Sequence, residues 1–243
     1  MEKLNGVTIS EKNLKWYRKL GEGRDAIVYS APHKKAYKIY KDPTNKDYVG
    51  VLKMIQDNNY NIKLSHLPQG AIYSKDGAFI GSLLERVYGK QIHYVFPSLS
   101  REKQIILLKR VVAAVKELTK NYIYPCDIAN TPLLPGKRSN ILVDRKLNPQ
   151  LIDIDGSGAE YRSEYNKYDQ YDVDRALSIL FADLVFDMPF EEDPERYEVD
   201  WLREKLINNG FDRDVADKIS IYEADYEVID EAIKQYSLIP KIK

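Results

Sequence analysis

The sequence predicts an α+β fold in which a β-rich first third precedes a mostly helical remainder carrying one small hairpin. Three observations predict it. Short runs of β-formers separated by turn residues fill the chain up to about Val87. The stretch "SREKQIILLKRVVAAVKELTKNY" then repeats its apolar residues with the period of an amphipathic helix. From about Asp172 helical patterning returns in "VDRALSILFADLVF", "VDWLREKLINNG", "DRDVADKI" and "YEVIDEAIKQY".

Taken in order, "NLKWYRKL" and "DAIVYSA" read as strands on either side of "GEGR", and "KAYKIYK" follows the turn "PHKK". "NKDYVGVLKMIQDNN" spaces Val51, Met54 and Ile55 at i, i+3, i+4 behind Tyr48 and predicts a helix, which Gly50 weakens. "GAIYSKDGAFIGSLLERV" reads as two strands joined at "KDG". In the long helix Ser100 is the expected N-cap, and Lys103 stands where a capping box would have Glu. Ile105, Leu108, Val112, Val115 and Leu118 line its expected buried face. "NILVD" and "PQLIDID" are two short strands around "RKLN", and Gly210 fits a helix C-cap. Residues 1–87 and 88–243 are the expected lobes, joined near Glu85 to Gly89.

Composition narrows the function classes. Lys+Arg and Asp+Glu both number 37, so no net positive field favours nucleic acid, and "PGKRSN" is only a short basic patch. With Cys126 as the one cysteine, no intrachain disulfide or cysteine-cluster metal site can form. No apolar run is long enough for a membrane span and "MEKLNGVTIS" lacks a leader's apolar core, so the chain reads as cytoplasmic, with no membrane partner. His33, His66 and His93 share no metal spacing. Trp16 and Trp201 read as packing aromatics, Cys126 as a small filler, and "EEDPERYEVD" as a solvated loop running into a helix.

Four places carry candidate chemistry. "LGEGRDAIVY" lies between two strands, a context for a glycine-rich strand-turn-strand whose backbone N–H groups can approach phosphates; a plain hairpin turn is the alternative. Lys38 shares a strand face with Ala36 and Tyr40, and a lysine among apolar neighbours on an inward face wants an anionic partner; a solvated edge-strand lysine is the alternative. Asp127 lies in a polar loop after the long helix, and Asn140 opens the strand "NILVD". Asp153 follows the apolar "PQLI", where Asp and Gly taken alone fit a solvated turn. Pairing the two strands would bring Asn140 and Asp153 to one end, beside the Asp127 loop. An amide and two carboxylates form an oxygen set suited to Mg2+.

The order of glycine-rich loop, strand lysine, Asp loop, Asn, then hydrophobic-Asp resembles the protein-kinase-like superfamily, in the compact, divergent form of bacterial or viral type, from about Leu14 to Phe186. "NILV…LID" is its most specific part. The resemblance implies a bilobal protein-kinase-like fold, a β-rich N-lobe and a mostly α C-lobe, using ATP and Mg2+. It implies that Gly21 and Gly23 cover the ATP phosphates and that Lys38 pairs with the α- and β-phosphates. Leu20, Val28 and Ala36 become apolar walls, and Leu83 to Val87, including Glu85, becomes the hinge against adenine. Asp127 would orient the substrate hydroxyl and accept its proton, Asn140 and Asp153 would hold the metal, and Asp172 or Asp174 would start the central helix.

The chain departs from the family pattern in places. "PCD" replaces His-Arg-Asp, and Ala129 stands where a lysine often follows the Asp, leaving Lys137 or Arg138 as spatial substitutes. Asp127 and Asn140 are 13 positions apart, where the kinase catalytic loop has about five. "DID" replaces Asp-Phe-Gly, Asp153 and Asp172 are only 19 positions apart, and the helix after Lys38 offers Asp47 and Asp57 but no glutamate. The leading expectation is a Ser/Thr-type protein kinase. The short segment after Asp153 admits a small-alcohol kinase, and the missing glutamate admits a pseudokinase acting as a binding module.

Overall fold

A computed structural model describes residues 4–44, 46–58, 60, 62, 66–129, 139–154, 160–162, 166–186, 199–221 and 223–240. In chain order the elements are β1 (Gly6–Thr8), α1 (Glu11–Leu14), β2 (Lys19–Glu22), β3 (Ala26–Ala31), β4 (Lys35–Tyr40), α2 (Lys46–Asn58), β5 (Gly70–Tyr73), β6 (Phe79–Glu85), β7 (Lys90–Gln91), α3 (Ile92–Val95), a 3-10 turn (Phe96–Ser98), α4 (Arg101–Thr119), β8 (Ile123–Tyr124), β9 (Ile141–Val143), β10 (Pro149–Leu151), β11 (Glu160–Tyr161), α5 (Lys167–Phe186), α6 (Val199–Asn208), α7 (Arg213–Ser220) and α8 (Tyr226–Leu238). They divide into two compact units, Met1–Tyr88 with Ile152–Tyr161, and Gly89–Leu151 with Arg162–Lys243.

The first unit is built on a six-stranded sheet ordered β1-β5-β6-β4-β3-β2. All its pairings are antiparallel except β1 with β5. The β3–β4 register sets Val28 opposite Lys38 and Ser30 opposite Ala36, and β6 adds Ser82 and Leu84 across from Lys38 and Ala36. Alternation then buries Ala36, Lys38 and Tyr40 while their neighbours remain partly exposed. The β3–β4 turn places His33 and Lys34 at φ 56° and 57°, the paired left-handed geometry of a tight hairpin.

One strand expectation fails here. "NLKWYRKL" is split: Asn13 and Leu14 close α1, and the strand begins only at Lys19. Successive backbone bonds, Asn13 N–H to Ser10 O, Trp16 N–H to Asn13 O and Tyr17 N–H to Leu14 O, wind the segment into turns. Trp16 is consequently 78% exposed rather than packed, with the Lys15 ammonium 5.1 Å from its ring.

The second unit contains the β10-β9-β7 sheet and the long helices. The hairpin forms as patterned, Pro149 opposite Val143 and Leu151 opposite Ile141. The Asp144 carboxylate accepts from the N–H groups of Lys146 and Asn148 in the turn, which fixes this register. α4 buries Leu107, Leu108, Val111, Val112, Ala114, Val115 and Leu118, a wider face than the sequence suggested, with Ile105 only partly covered. Ser100 has extended cap backbone but makes no side-chain cap bond.

The central helix α5 starts at Lys167, not at Asp172 or Asp174. Asn166 caps it, its Oδ1 accepting from Tyr168 N–H at 2.9 Å and Asp169 N–H at 3.3 Å. The first turn, "KYDQ", is too polar to show helical periodicity, so the cap rather than the pattern sets the boundary. Gly210 ends α6 at φ 94°, as its C-cap pattern requires. Among the described residues no helix is long and apolar enough to cross a membrane.

Candidate functional site

In the first unit the site is built around Lys38. β4 carries this residue into the sheet's covered face, where it is 6% exposed. A buried ammonium needs an anion, and Lys38 Nζ donates to Asp153 Oδ1. The Tyr40 ring lies 5.8 Å from the same ammonium and stacks on Tyr48 of α2, with centroids 3.9 Å apart and planes 1° from parallel. The Tyr40 hydroxyl and Ser82 Oγ share a 2.5 Å hydrogen bond. The lysine stem is therefore flanked by groups that are themselves held.

Asp153 is placed by its backbone. It sits at φ 62°, in the left-handed region that a non-glycine residue occupies only where its surroundings impose it. Its side chain remains one-third exposed. The strand paired with Ile141 ends at Leu151, and the chain reaches Asp153 two residues later.

Gly81 on β6 makes this part of the sheet possible. A Cβ there would lie 2.1 Å from the Lys38 carbonyl oxygen, an overlap that only backbone movement could relieve. The glycine-rich segment differs. Gly21 lies in β2 opposite Val28, and Gly23 N–H donates to Ala26 O at 2.9 Å. A Cβ at Gly21 would meet nothing within 4 Å, so packing does not require glycine there. Lys41 ties this segment to the end of β4, its Nζ lying 2.9 Å from both Gly23 O and a Glu22 carboxylate oxygen. Hydrogen bonds from Lys19 and then Lys41 hold the Glu22 carboxyl down at about 2. Leu20 is exposed, Val28 half-buried and Ala36 buried. Glu85 ends β6 exposed, opposite Lys35, and Val87 is half-buried.

In the second unit Asn140 stands immediately before β9, and its Nδ2 donates to the Asp127 backbone oxygen at 2.7 Å. Asp127 is half-buried, two residues beyond Pro125. Cys126 Sγ donates to Tyr124 O, a filler's contact. The amide therefore holds the Asp127 loop through its backbone. Asp155, Lys137 and Arg138 lie outside the described residues, as do most of "IANTPLLPGKRS" and of "EEDPERYEVD".

No protein-family model matches the chain, and no curated protein does. A solved structure of an apo pseudokinase does match, with a TM-score of 0.58 at 10% identity, covering 96% of this chain and 98% of that one. The fold is kinase-like. At that identity the match speaks for the fold alone.

Within this kinase-like fold the structure joins Lys38 to Asp153 in the first unit and Asn140 to Asp127 in the second. α2 contains no glutamate; its Asp57 is exposed, and the side chain of Asp47 lies outside those described. Tyr48, Leu52 and Ile55 form the buried face of α2 instead. Sequence reasoning missed Gly81, Ser82 and Lys41. Strand alternation signalled Tyr40, but a cross-strand glycine or serine leaves no pattern until the register is known.

Proposed function

We propose that the protein is an ATP- and Mg2+-dependent phosphotransferase acting on a hydroxyl, with a protein Ser/Thr side chain as the acceptor class. The observation that carries this reading is the buried Lys38 ammonium paired with Asp153, whose backbone is held in a strained conformation. Phosphoryl transfer needs a cation for the phosphates and a carboxylate for the metal. Lys38 would bind the phosphates once Asp153 turns to the metal. Asp153 would ligate the ion in the first unit; Mg2+ tolerates few protein ligands because phosphate oxygens and water complete its shell. When bound, the metal neutralises charge developing on the transferred group. Asp127, with its loop held by Asn140, would orient the acceptor hydroxyl. Gly21 fits a loop over phosphates because its own neighbours do not require a glycine.

α2 favours one second reading. With no glutamate there to take Lys38 from Asp153, the protein could bind nucleotide without transferring phosphate. Incubation with γ-labelled ATP and Mg2+, with generic protein substrates in one arm and small alcohols in another, separates the readings. Labelled protein substrate supports the proposal. Labelled small alcohol moves the acceptor class. Nucleotide binding with no label transferred selects the second reading. The variant Asp127→Asn should keep nucleotide binding while transfer falls by ~10²-fold or more.

A further inference from the structure

Resting on the phosphotransferase reading, we infer that Lys41 is a positioning residue for the nucleotide. Its side chain clasps the glycine-rich turn to the strand that carries Lys38, and so fixes the spacing between the two elements that would hold the phosphates.

Among the described residues the turn has little apolar packing. All of β2 is exposed, and β2 is an edge strand of the sheet, next to β3. A Cβ at Gly21 would meet nothing within 4 Å, and one at Gly23 would meet the Ala26 carbonyl oxygen at 4.0 Å, so neither position is pressed by its surroundings. Polar bonds set the place of the turn instead, and they converge on Lys41. The Lys41 N–H donates to Asp25 O at 2.8 Å. Its Nζ donates to Gly23 O at 2.9 Å and lies 2.9 Å from Glu22 Oε1. The other Glu22 oxygen accepts from Lys19, so one carboxylate bridges the start of β2 and the end of β4. Within the turn Arg24 forks onto the Asp25 carboxylate at 2.9 and 3.1 Å. Between Lys38 and Lys41 stands Tyr40, its ring stacked on Tyr48 and its hydroxyl bonded to Ser82, so the strand end is itself held. A turn tied in this way follows β4. Exposed ion pairs add little to global stability, but an element with few other contacts opens locally at a comparably small free energy.

The test compares wild type with Lys41→Met, Lys41→Arg and Glu22→Ala. Lys53→Met, at an exposed position of α2, makes the same charge change elsewhere in the unit. Amide hydrogen exchange read by mass spectrometry over residues 19–26 reports the turn without nucleotide. A fluorescent ATP analogue with Mg2+ reports affinity and, in a chase, the dissociation rate. Exchange in the turn should quicken by about two- to fivefold in Lys41→Met and Glu22→Ala, the range an exposed ion pair spans, and nucleotide should leave faster by a similar factor. Lys41→Arg keeps the charge and should match wild type, as should Lys53→Met. Urea midpoints should stay at the wild-type value in every variant, which makes the effect local. The sign for Glu22→Ala separates a clasp from plain charge. Removing a carboxylate near bound phosphates tightens binding if charge alone acts, whereas a lost clasp loosens it. Unchanged exchange in Lys41→Met, tighter nucleotide binding by Glu22→Ala, an equal effect in Lys53→Met, or faster exchange with an unchanged dissociation rate each overturns the clasp. Nucleotide bound by wild type leaves the phosphotransferase reading intact in all of these cases. If wild type binds no nucleotide, the phosphotransferase reading falls, and the positioning role with it.

Discussion

Lys38 in the first unit is 6% exposed and answered by Asp153. Asp183 in the second unit is 2% exposed, and among the described residues neither of its carboxylate oxygens has a hydrogen-bond partner. Both are ionisable groups in covered positions. The sheet unit resolves its case by ion pairing, which preserves charge and so preserves the ability to hold another ion. In the helical unit burial holds the Asp183 carboxyl well above the ordinary carboxylate range, which favours its neutral form. A group kept charged at some cost to stability is the better candidate for chemistry.

The strongest way to break that contrast is Asp153→Ala. The phosphotransferase reading expects label transfer from ATP to fall by at least ~10³-fold, about 4 kcal/mol of barrier. The same change removes the carboxylate bonded to the buried ammonium and should cost roughly 1–3 kcal/mol in a urea titration. The double variant Lys38→Met/Asp153→Leu should recover much of that stability and none of the transfer. Transfer by Asp153→Ala within tenfold of wild type would remove this residue from the chemistry.

Next in size is the backbone beside Lys38. Gly81→Ala drives a Cβ into the Lys38 carbonyl and should lower stability by about 3 kcal/mol. Gly50→Ala, in the interior of α2 with no atom within 4 Å of the added carbon, should instead raise stability by ~0.5–1 kcal/mol. Paired urea midpoints for the two variants read both signs at once. Equal effects would mean that strand contact at Gly81 is not what fixes the Lys38 position.

Asp183 sharpens the comparison through pH. Its folded-state pKa lies above its unfolded value of 3.8, so the folded chain holds this proton longer. Stability from this group is complete below the unfolded value and declines as pH rises towards the folded one. Asp183→Asn keeps the shape and lacks the titration. The variant should therefore gain on wild type as pH rises above the unfolded value, at up to ~1.4 kcal/mol per pH unit while the folded protein stays protonated. Denaturant titrations at pH 4.5 and 7 measure the gain. A difference that does not change with pH would show that Asp183 is charged in the fold.

Most of the layout was legible because it rests on local chemistry. Alternation around Lys38, the "KDG" turn with Gly77 at φ 85°, the "RKLN" hairpin and the Gly210 cap all follow from residue type at a fixed spacing. Lys38, Asp127, Asn140 and Asp153 could be picked out in the sequence, but which of them touch could not. The Lys38–Asp153 bond spans 115 positions, and Gly81 acquires its role only from a register with β4 that no local pattern encodes. Trp16 and the α5 start were misread because local hydrogen bonds and an Asn cap outweighed propensity.

Helix ends give the smallest contrast between what residue type suggests and what geometry delivers. Ser100 and Asp225 both occupy N-cap positions with extended backbone. The Asp225 carboxylate accepts from Glu227 N–H at 3.1 Å and Val228 N–H at 3.0 Å. The Ser100 side chain makes no such bond. Truncating Asp225 leaves two N–H donors of α8 to water and removes a negative charge from the positive end of the helix. Asp225→Ala should therefore cost about 1 kcal/mol, whereas Ser100→Ala should cost no more than a few tenths, ~0.3 kcal/mol. Thermal melts of the two single variants suffice, since each contributes in proportion to its bond rather than to its residue type. Equal losses would mean that Ser100 closes a cap bond in solution, and that the α4 N-terminus is held as firmly as that of α8.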